Sequence, residues 1–73
     1  MKSKNSQIIA KVAKRIRQLR AAKGLTLEGL AYENDLSKGN LSEIERGMIE
    51  PRLTTLERIA RGLDVSLKEF FSF

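Results

Sequence analysis

Apolar side chains recur along most of the chain at intervals of three and four residues, the spacing that places them on one face of an α-helix. In residues 6–23 this stripe consists of Ile8, Val12, Ile16 and Leu19. Gly24 follows at once, and a glycine there favours the left-handed conformation that ends a helix. The pattern therefore predicts a long amphipathic first helix.

Two short helices are predicted next, because residues that cap helix N-termini precede two further apolar clusters. Thr26 is expected to cap the second helix and Ser37 the third. Their buried sides are predicted to carry Leu27, Leu30, Ala31, Leu41 and Ile44. Only residues 34–36 separate the two helices, and a tight turn of this kind is typical of a helix-turn-helix, whose second helix enters the major groove of DNA.

A fourth stripe and a fifth short helix complete the pattern. The fourth stripe consists of Leu53, Leu56, Ile59, Ala60 and Leu63. Ser66 and Glu69 have the spacing of a capping box, so a fifth helix is predicted to begin at Ser66. Alternation of the kind found in strands is almost absent. The sequence thus predicts an all-α, five-helix domain over residues 6–73, preceded by a flexible arm at residues 1–5.

The composition narrows the possible functions. The 73 residues contain no cysteine and no histidine. Disulfides, cysteine-based zinc sites, the commonest general base and the usual catalytic zinc ligands are therefore all missing. We predict that the chain is not an enzyme, requires no metal or cofactor and binds no small-molecule ligand. No apolar run approaches the roughly 18 residues needed to span a bilayer, so a cytoplasmic protein without a membrane partner is expected.

Positive charge is concentrated near the N-terminus. The 14 Lys and Arg against 9 Asp and Glu give a formal charge of +5. Residues 1–23 contain eight cations and no anion, whereas residues 24–73 contain six cations and nine anions. This excess suits an anionic partner, such as nucleic acid or acidic lipid, although a solvated helix face explains any single cation equally well.

The outward face of the third helix carries the candidates for base recognition. At 100° per residue, the apolar residues of this helix turn inward and the polar ones outward. Lys38 can donate to guanine O6 and N7, Glu43 can accept from a cytosine amino group, and Ser42 can contact either edge. Gly39 is expected to allow close backbone approach, and Asn40 to reach a base or a phosphate. The alternative for this face is an ordinary solvated surface, above all for Glu43.

One extended motif runs through the second and third helices. It comprises Gly24-Leu25-Thr26, Leu30-Ala31, Leu36-Ser37-Lys38 and Leu41-Ser42-Glu43-Ile44-Glu45-Arg46-Gly47. With similar segments at 51–56 and 63–71, this motif strongly resembles the phage repressor/Cro class of helix-turn-helix transcription regulators over residues 7–71. The resemblance implies a five-helix lambda-repressor-like domain. Small stand-alone members include phage repressors, antitoxins and restriction–modification controllers, and the Phe70-Phe71 ending looks somewhat like the last group.

Phosphate contacts are expected on both sides of the third helix. The backbone N–H groups at the start of the second helix, at Thr26 and Leu27, form a natural anion site. Ser37, Arg46 and Arg52 match family positions that often touch the DNA backbone. We therefore expect most of the affinity to come from these five residues.

The resemblance also assigns structural roles. Arg20 and Glu45 match a pair that commonly forms a buried salt bridge between the first and third helices. Asp35 and Asp64 stand where the family usually has glycine, and aspartate tolerates the left-handed conformation better than most residues. Tyr32 is interpreted as a residue that packs on the surface rather than as a stacking platform for bases.

The C-terminus suggests a dimer. Phe70, Phe71 and Phe73 fall within the last four residues, and a short helix cannot turn all three toward one core. Exposed Phe71 or Phe73 is predicted to join two copies through the fourth and fifth helices, although closure of the core is an alternative. A twofold dimer binds palindromic DNA with half-sites about 34 Å apart. The predicted function is a DNA-binding regulator, and the alternative is a protein–protein module of the antitoxin or regulator-sequestering type.

Overall fold

Five α-helices build the part of the chain that the computed structural model describes, residues 4–73. In chain order they are α1 Lys4–Ala22, α2 Leu27–Glu33, α3 Lys38–Glu45, α4 Leu53–Gly62 and α5 Leu67–Phe70. The predicted all-α class and the number of helices are confirmed. None of the five is long and apolar enough to cross a membrane. α1 begins at Lys4, earlier than predicted, and the rest of the expected arm lies outside the described residues.

The helices begin where the sequence provides capping side chains. The hydroxyl oxygens of Thr26 and Ser37 accept hydrogen bonds from the N–H groups three residues later, at 2.9 and 3.2 Å. Ser66 and Glu69 form the predicted capping box at the start of α5. Each of these bonds satisfies a first-turn N–H group that has no partner within its helix.

The turns depend on left-handed backbone at the positions that the sequence singled out. Gly24 ends α1 with φ of 68°. Asp35, in the turn between α2 and α3, has φ of 57°, and Asp64, after α4, has φ of 60°. The prediction that aspartate replaces glycine at both turns without loss of their geometry is confirmed.

One core joins all five helices. Its buried apolar members are Val12, Ala13, Ile16, Leu30, Ala31, Leu41, Ile44, Leu56, Ile59, Ala60, Leu63 and Phe70. Two residues predicted for the apolar stripes do not belong to it, since Ile8 is 45% and Leu53 78% exposed. Periodicity identifies the apolar side of a helix but not where along the helix packing begins. Ile8 lies a turn before the first buried residue of α1, and Leu53 is the first residue of α4.

Candidate nucleic-acid interface

α3 is fixed to the domain by its apolar side. Leu41 and Ile44 are fully buried, and α3 packs against both α1 and α2. The N–H of Leu36 donates to the carbonyl of Ala31 at 2.9 Å and closes the turn between α2 and α3. With this side anchored, the orientation of the opposite side of α3 is set by the fold.

The five residues predicted to contact bases lie on the accessible part of α3. Lys38, Gly39 and Asn40 are exposed, and Ser42 and Glu43 are half-buried. Gly39 leaves space beside the helix, because a Cβ built there would meet only the Ser37 hydroxyl oxygen, 3.8 Å away. The face therefore offers an ammonium, a hydroxyl, an amide and a carboxylate around a position without a side chain.

An ion pair that sequence analysis missed connects α2 to this face. The Lys38 ammonium lies 3.1 Å from a carboxylate oxygen of Glu28, and both side chains are more than half exposed. The hydrogen bond from Lys38, followed by one from the Glu28 backbone, holds the pKa of the Glu28 carboxyl below its usual value. The lysine predicted to contact guanine thus has an acidic partner before any DNA is bound.

The residues predicted to bind phosphate lie at helix ends. Arg46 follows α3 and Arg52 precedes α4, and both are exposed. Ser37 caps α3 through its oxygen, which leaves its hydroxyl proton able to donate. At the start of α2, the Thr26 hydroxyl already accepts from one first-turn N–H, and Leu27 is half-buried. Thr26 and Ser37 are exposed like the two arginines, so four of the five predicted residues are accessible from solvent.

Arg20 and Glu45 join α1 to the last turn of α3. Two guanidinium nitrogens of Arg20 lie 2.8 and 2.9 Å from the two carboxylate oxygens of Glu45, whose side chain is only 6% exposed. The third guanidinium nitrogen donates to the Leu25 carbonyl at 2.9 Å. The hydrogen bond to Glu45 raises the pKa of Arg20. Arg17 donates a hydrogen bond to the backbone carbonyl of Glu45. α1 therefore binds the end of α3 through both the side chain and the backbone of Glu45.

A third arginine of α1, whose contact the sequence did not predict, positions the C-terminus. Arg15 donates to the carbonyls of Phe70 at 2.9 Å and Glu69 at 2.7 Å, which belong to the last turn of α5. Carbonyls at a helix end have no partner within the helix, and a cation there also complements the helix dipole. Because 54 and 55 residues separate the partners, no local sequence signal could have indicated this contact.

Of the three C-terminal phenylalanines, one is buried and two are exposed. Phe70 is fully buried, whereas Phe71 is 40% and Phe73 53% exposed. The Phe71 ring packs edge-on against Phe70, with centroids 5.1 Å apart, and lies 6.0 Å from the Phe73 ring. The prediction that Phe71 or Phe73 is exposed is confirmed for both.

An apolar groove borders Phe71. Its lining includes Ile8, Pro51 and Leu53, three residues from α1, the loop after α3 and the start of α4. Ile8 and Leu53 are the two residues that the apolar stripes wrongly predicted to be buried. Their exposed side chains lie beside Phe71 in this groove, which Glu50 also lines.

The prediction that Tyr32 packs on the surface is wrong. Its side chain is 89% exposed. It lies on α2 beside a shallow recess that Glu28, Ala31, Leu36 and Lys38 also line. The recess therefore joins the start of α3 to the exposed side of α2.

Comparison with known proteins identifies the family. The helix-turn-helix family HTH_3 matches residues 16–70. The chain is 37% identical over 60 residues to the control protein C.BamHI of Bacillus amyloliquefaciens, covering 81% of this chain and 74% of the relative. It is 40% identical over 57 residues to the transcriptional regulator SutR of Escherichia coli, covering 78% of this chain but only 32% of SutR.

A solved structure supports the same assignment. The restriction–modification controller protein C.Esp1396I, crystallised as a tetramer in complex with its natural 35 base-pair operator, superposes with a TM-score of 0.82 and 40% sequence identity. The match covers 86% of this chain and 83% of the controller chain. By its fold, its matched motif and these relatives, the chain belongs to the helix-turn-helix family of the phage repressor/Cro type.

Proposed function

We propose that this chain is a sequence-specific DNA-binding regulator of transcription that places α3 in the major groove of a palindromic operator as a homodimer. The observation that carries the proposal is the pairing of an anchored apolar side of α3 with an accessible polar side. Buried Leu41 and Ile44 fix the helix, while Lys38, Ser42 and Glu43 stay available on its surface. A helix fixed on one side, with accessible donors and acceptors on the other, suits direct contact with base edges.

Base and phosphate contacts would then divide between different residues. Lys38 at the first turn of α3 contacts guanine, and Glu43 contacts the amino group of a cytosine. Arg46 and Arg52, exposed at helix ends, bind phosphates and supply most of the affinity. The operator complex of the related controller supports DNA binding by this chain. In this account the chain is no enzyme and acts by occupying DNA.

The homodimer is proposed to form through the apolar groove and the aromatic C-terminus. Phe71 is exposed beside Ile8 and Leu53, and exposed aromatic residues are favoured interface anchors. In a twofold dimer, equivalent points are separated by twice their distance from the axis. Half-sites about 34 Å apart therefore require α3 about 17 Å from the axis, within reach of a domain measuring 36 × 25 × 21 Å.

Selection from a random-sequence duplex library, followed by fluorescence anisotropy with the selected duplex and a scrambled one, tests DNA recognition. The proposal predicts an enriched palindrome and a preference of about 10³-fold or more over the scrambled duplex. Lys38→Ala is expected to lower this preference. Its matched control is Arg58→Ala, which removes an exposed cation from α4 and should retain the preference. Equal affinity of the wild-type protein for both duplexes would reject the proposal in favour of a protein–protein module.

Sedimentation equilibrium tests the dimer separately. The wild-type protein is expected to dimerise at micromolar concentration, and Phe71→Ala and Phe73→Ala to shift the population toward monomer. Far-UV circular dichroism identifies any variant that fails to fold. A wild-type protein that stays monomeric and binds a palindromic duplex with one copy per site would overturn the homodimer.

A further inference from the structure

The ion pair between Lys38 and Glu28 links the two helices of the motif at the proposed DNA surface. The two charged atoms are 3.1 Å apart, and the side chains are 60% and 64% exposed. Ion pairs this exposed contribute little to stability. Fold stability therefore does not account for an acidic side chain beside a lysine that is expected to enter a polyanionic groove.

The chemistry of the lysine ammonium allows Glu28 and a base to bind at the same time. The ammonium has three donor hydrogens. A hydrogen bond to Glu28 leaves two, the number that guanine O6 and N7 accept together. Because Glu28 belongs to the first turn of α2, it restrains an otherwise flexible four-carbon side chain to one part of the surface.

The surroundings of the pair add to this restraint. Ala31, Tyr32 and Leu36 line a shallow apolar recess with the two charged residues. The methylene stem of a lysine covers apolar surface while its charged end stays in water. Lys38 thus has a place for its stem as well as a partner for its ammonium.

We propose that Glu28 is a positioning residue for specificity, which holds the Lys38 ammonium toward a base edge and away from the phosphates. The proposal rests on the proposed DNA-binding function. In a specific complex, Lys38 bridges Glu28 and guanine. In a non-specific complex, neutralising a phosphate with Lys38 would separate it from Glu28 and leave a carboxylate facing a polyanion, which weakens that complex.

The test compares wild type, Glu28→Gln, Lys38→Met and the double variant in anisotropy titrations. The probes are the duplex that the wild-type protein selects and a scrambled duplex of equal length, each at several salt concentrations. Glu57→Gln is the matched control, because Glu57 is an exposed glutamate paired with Arg61 on α4. This substitution removes the same negative charge, but from α4 instead of the surface beside α3.

Glu28→Gln is expected to strengthen binding to the scrambled duplex about 2- to 5-fold, the value of one exposed ion pair. Its salt slope on that duplex should steepen by about 0.9, because Lys38 becomes free to neutralise one more phosphate. Binding to the selected duplex should stay equal or weaken, so the preference falls. In the Lys38→Met background, Glu28→Gln should change the affinities for the two duplexes by the same factor.

Two results would overturn the proposal while leaving the proposed function intact. One is a wild-type protein that prefers the selected duplex together with a Glu28→Gln variant that binds both duplexes more tightly by the same factor, the result expected of Glu57→Gln. The other is that Glu28→Gln lowers the preference for the selected duplex by the same factor in the wild-type background and in the Lys38→Met background. A wild-type protein without any preference would instead reject the proposed function, and this inference with it.

A measurement without DNA provides a second, independent test. An NMR pH titration of the Glu28 carboxyl carbon should give a pKa below that of an ordinary glutamate in the wild type. In Lys38→Met the pKa should rise toward the ordinary value, because the partner that stabilises the carboxylate is gone. An unchanged pKa would show that the pair is absent in solution and would overturn the proposal.

Discussion

Replacing Arg20 with methionine tests how α1 supports α3. The substitution keeps most of the apolar stem and removes the guanidinium, so the 6% exposed Glu45 side chain loses both of its donors. The third hydrogen bond of Arg20, which the Leu25 carbonyl accepts, is lost as well. Breaking a buried ion pair by removing one partner costs about 3–5 kcal/mol. Because the Arg20 side chain is 24% exposed, we expect the lower end, about 3 kcal/mol.

This loss is large relative to the whole domain. At about 0.05–0.15 kcal/mol per residue, a domain of this length has roughly 4–11 kcal/mol of stability. Glu45→Gln should cost less than Arg20→Met, because the partly exposed guanidinium that remains can be hydrated. Arg20→Met combined with Glu45→Leu should recover part of the loss, since no buried charge is then left unpaired.

Urea denaturation followed by far-UV circular dichroism measures these differences. When the slope of unfolding free energy against urea concentration is unchanged, the shift of each midpoint reports the change in the free energy of unfolding. The expected order of stability is wild type, Glu45→Gln, Arg20→Met, with the double variant above Arg20→Met. Near-zero shifts in both single variants would refute a buried salt bridge, and a double variant less stable than Arg20→Met would refute the unpaired charge as the cause.

Further predictions concern the turns, the packing and the phosphate contacts. Gly62→Ala should lower stability by about 1–3 kcal/mol in the same denaturation assay, because a Cβ there would lie 2.7 Å from the Leu30 side chain and still closer to Asn34. Asp35→Gly should raise the thermal midpoint by relieving up to about 1 kcal/mol of left-handed strain, and a lower midpoint would contradict this. Arg46→Ala should weaken selected and scrambled duplexes alike and reduce the salt slope by about 0.9, whereas a sequence-dependent loss would assign Arg46 to bases instead.

The local features of the fold could be predicted from the sequence because each depends on one or two neighbouring residues. Thr26 and Ser37 cap helices with a side chain three positions from the N–H that they bind, and Asp35 adopts a conformation that its own side chain tolerates. Apolar spacing identified most of the core. It failed for Ile8 and Leu53, because spacing along one helix carries no information about the extent of the surface packed against it.

The contacts around the candidate site were less predictable, since they depend on tertiary neighbours. The pairing of Arg20 with Glu45 followed only from the family resemblance. The bond from Arg15 to the Phe70 carbonyl and the ion pair of Lys38 with Glu28 left no local signal in the sequence. A charged residue on an exposed helix face has several possible partners, and only the tertiary arrangement of the helices selects one.

Repeating the duplex selection with Lys38→Ala tests the central claim most directly, because it asks whether one side chain on α3 determines the base at a given position. We expect the wild-type palindrome to be selected again, except at one or two base pairs in each half-site, where the preference of about 1–3 kcal/mol disappears. A variant that selects the wild-type sequence unchanged at every position would contradict the claim that α3 contacts bases through Lys38.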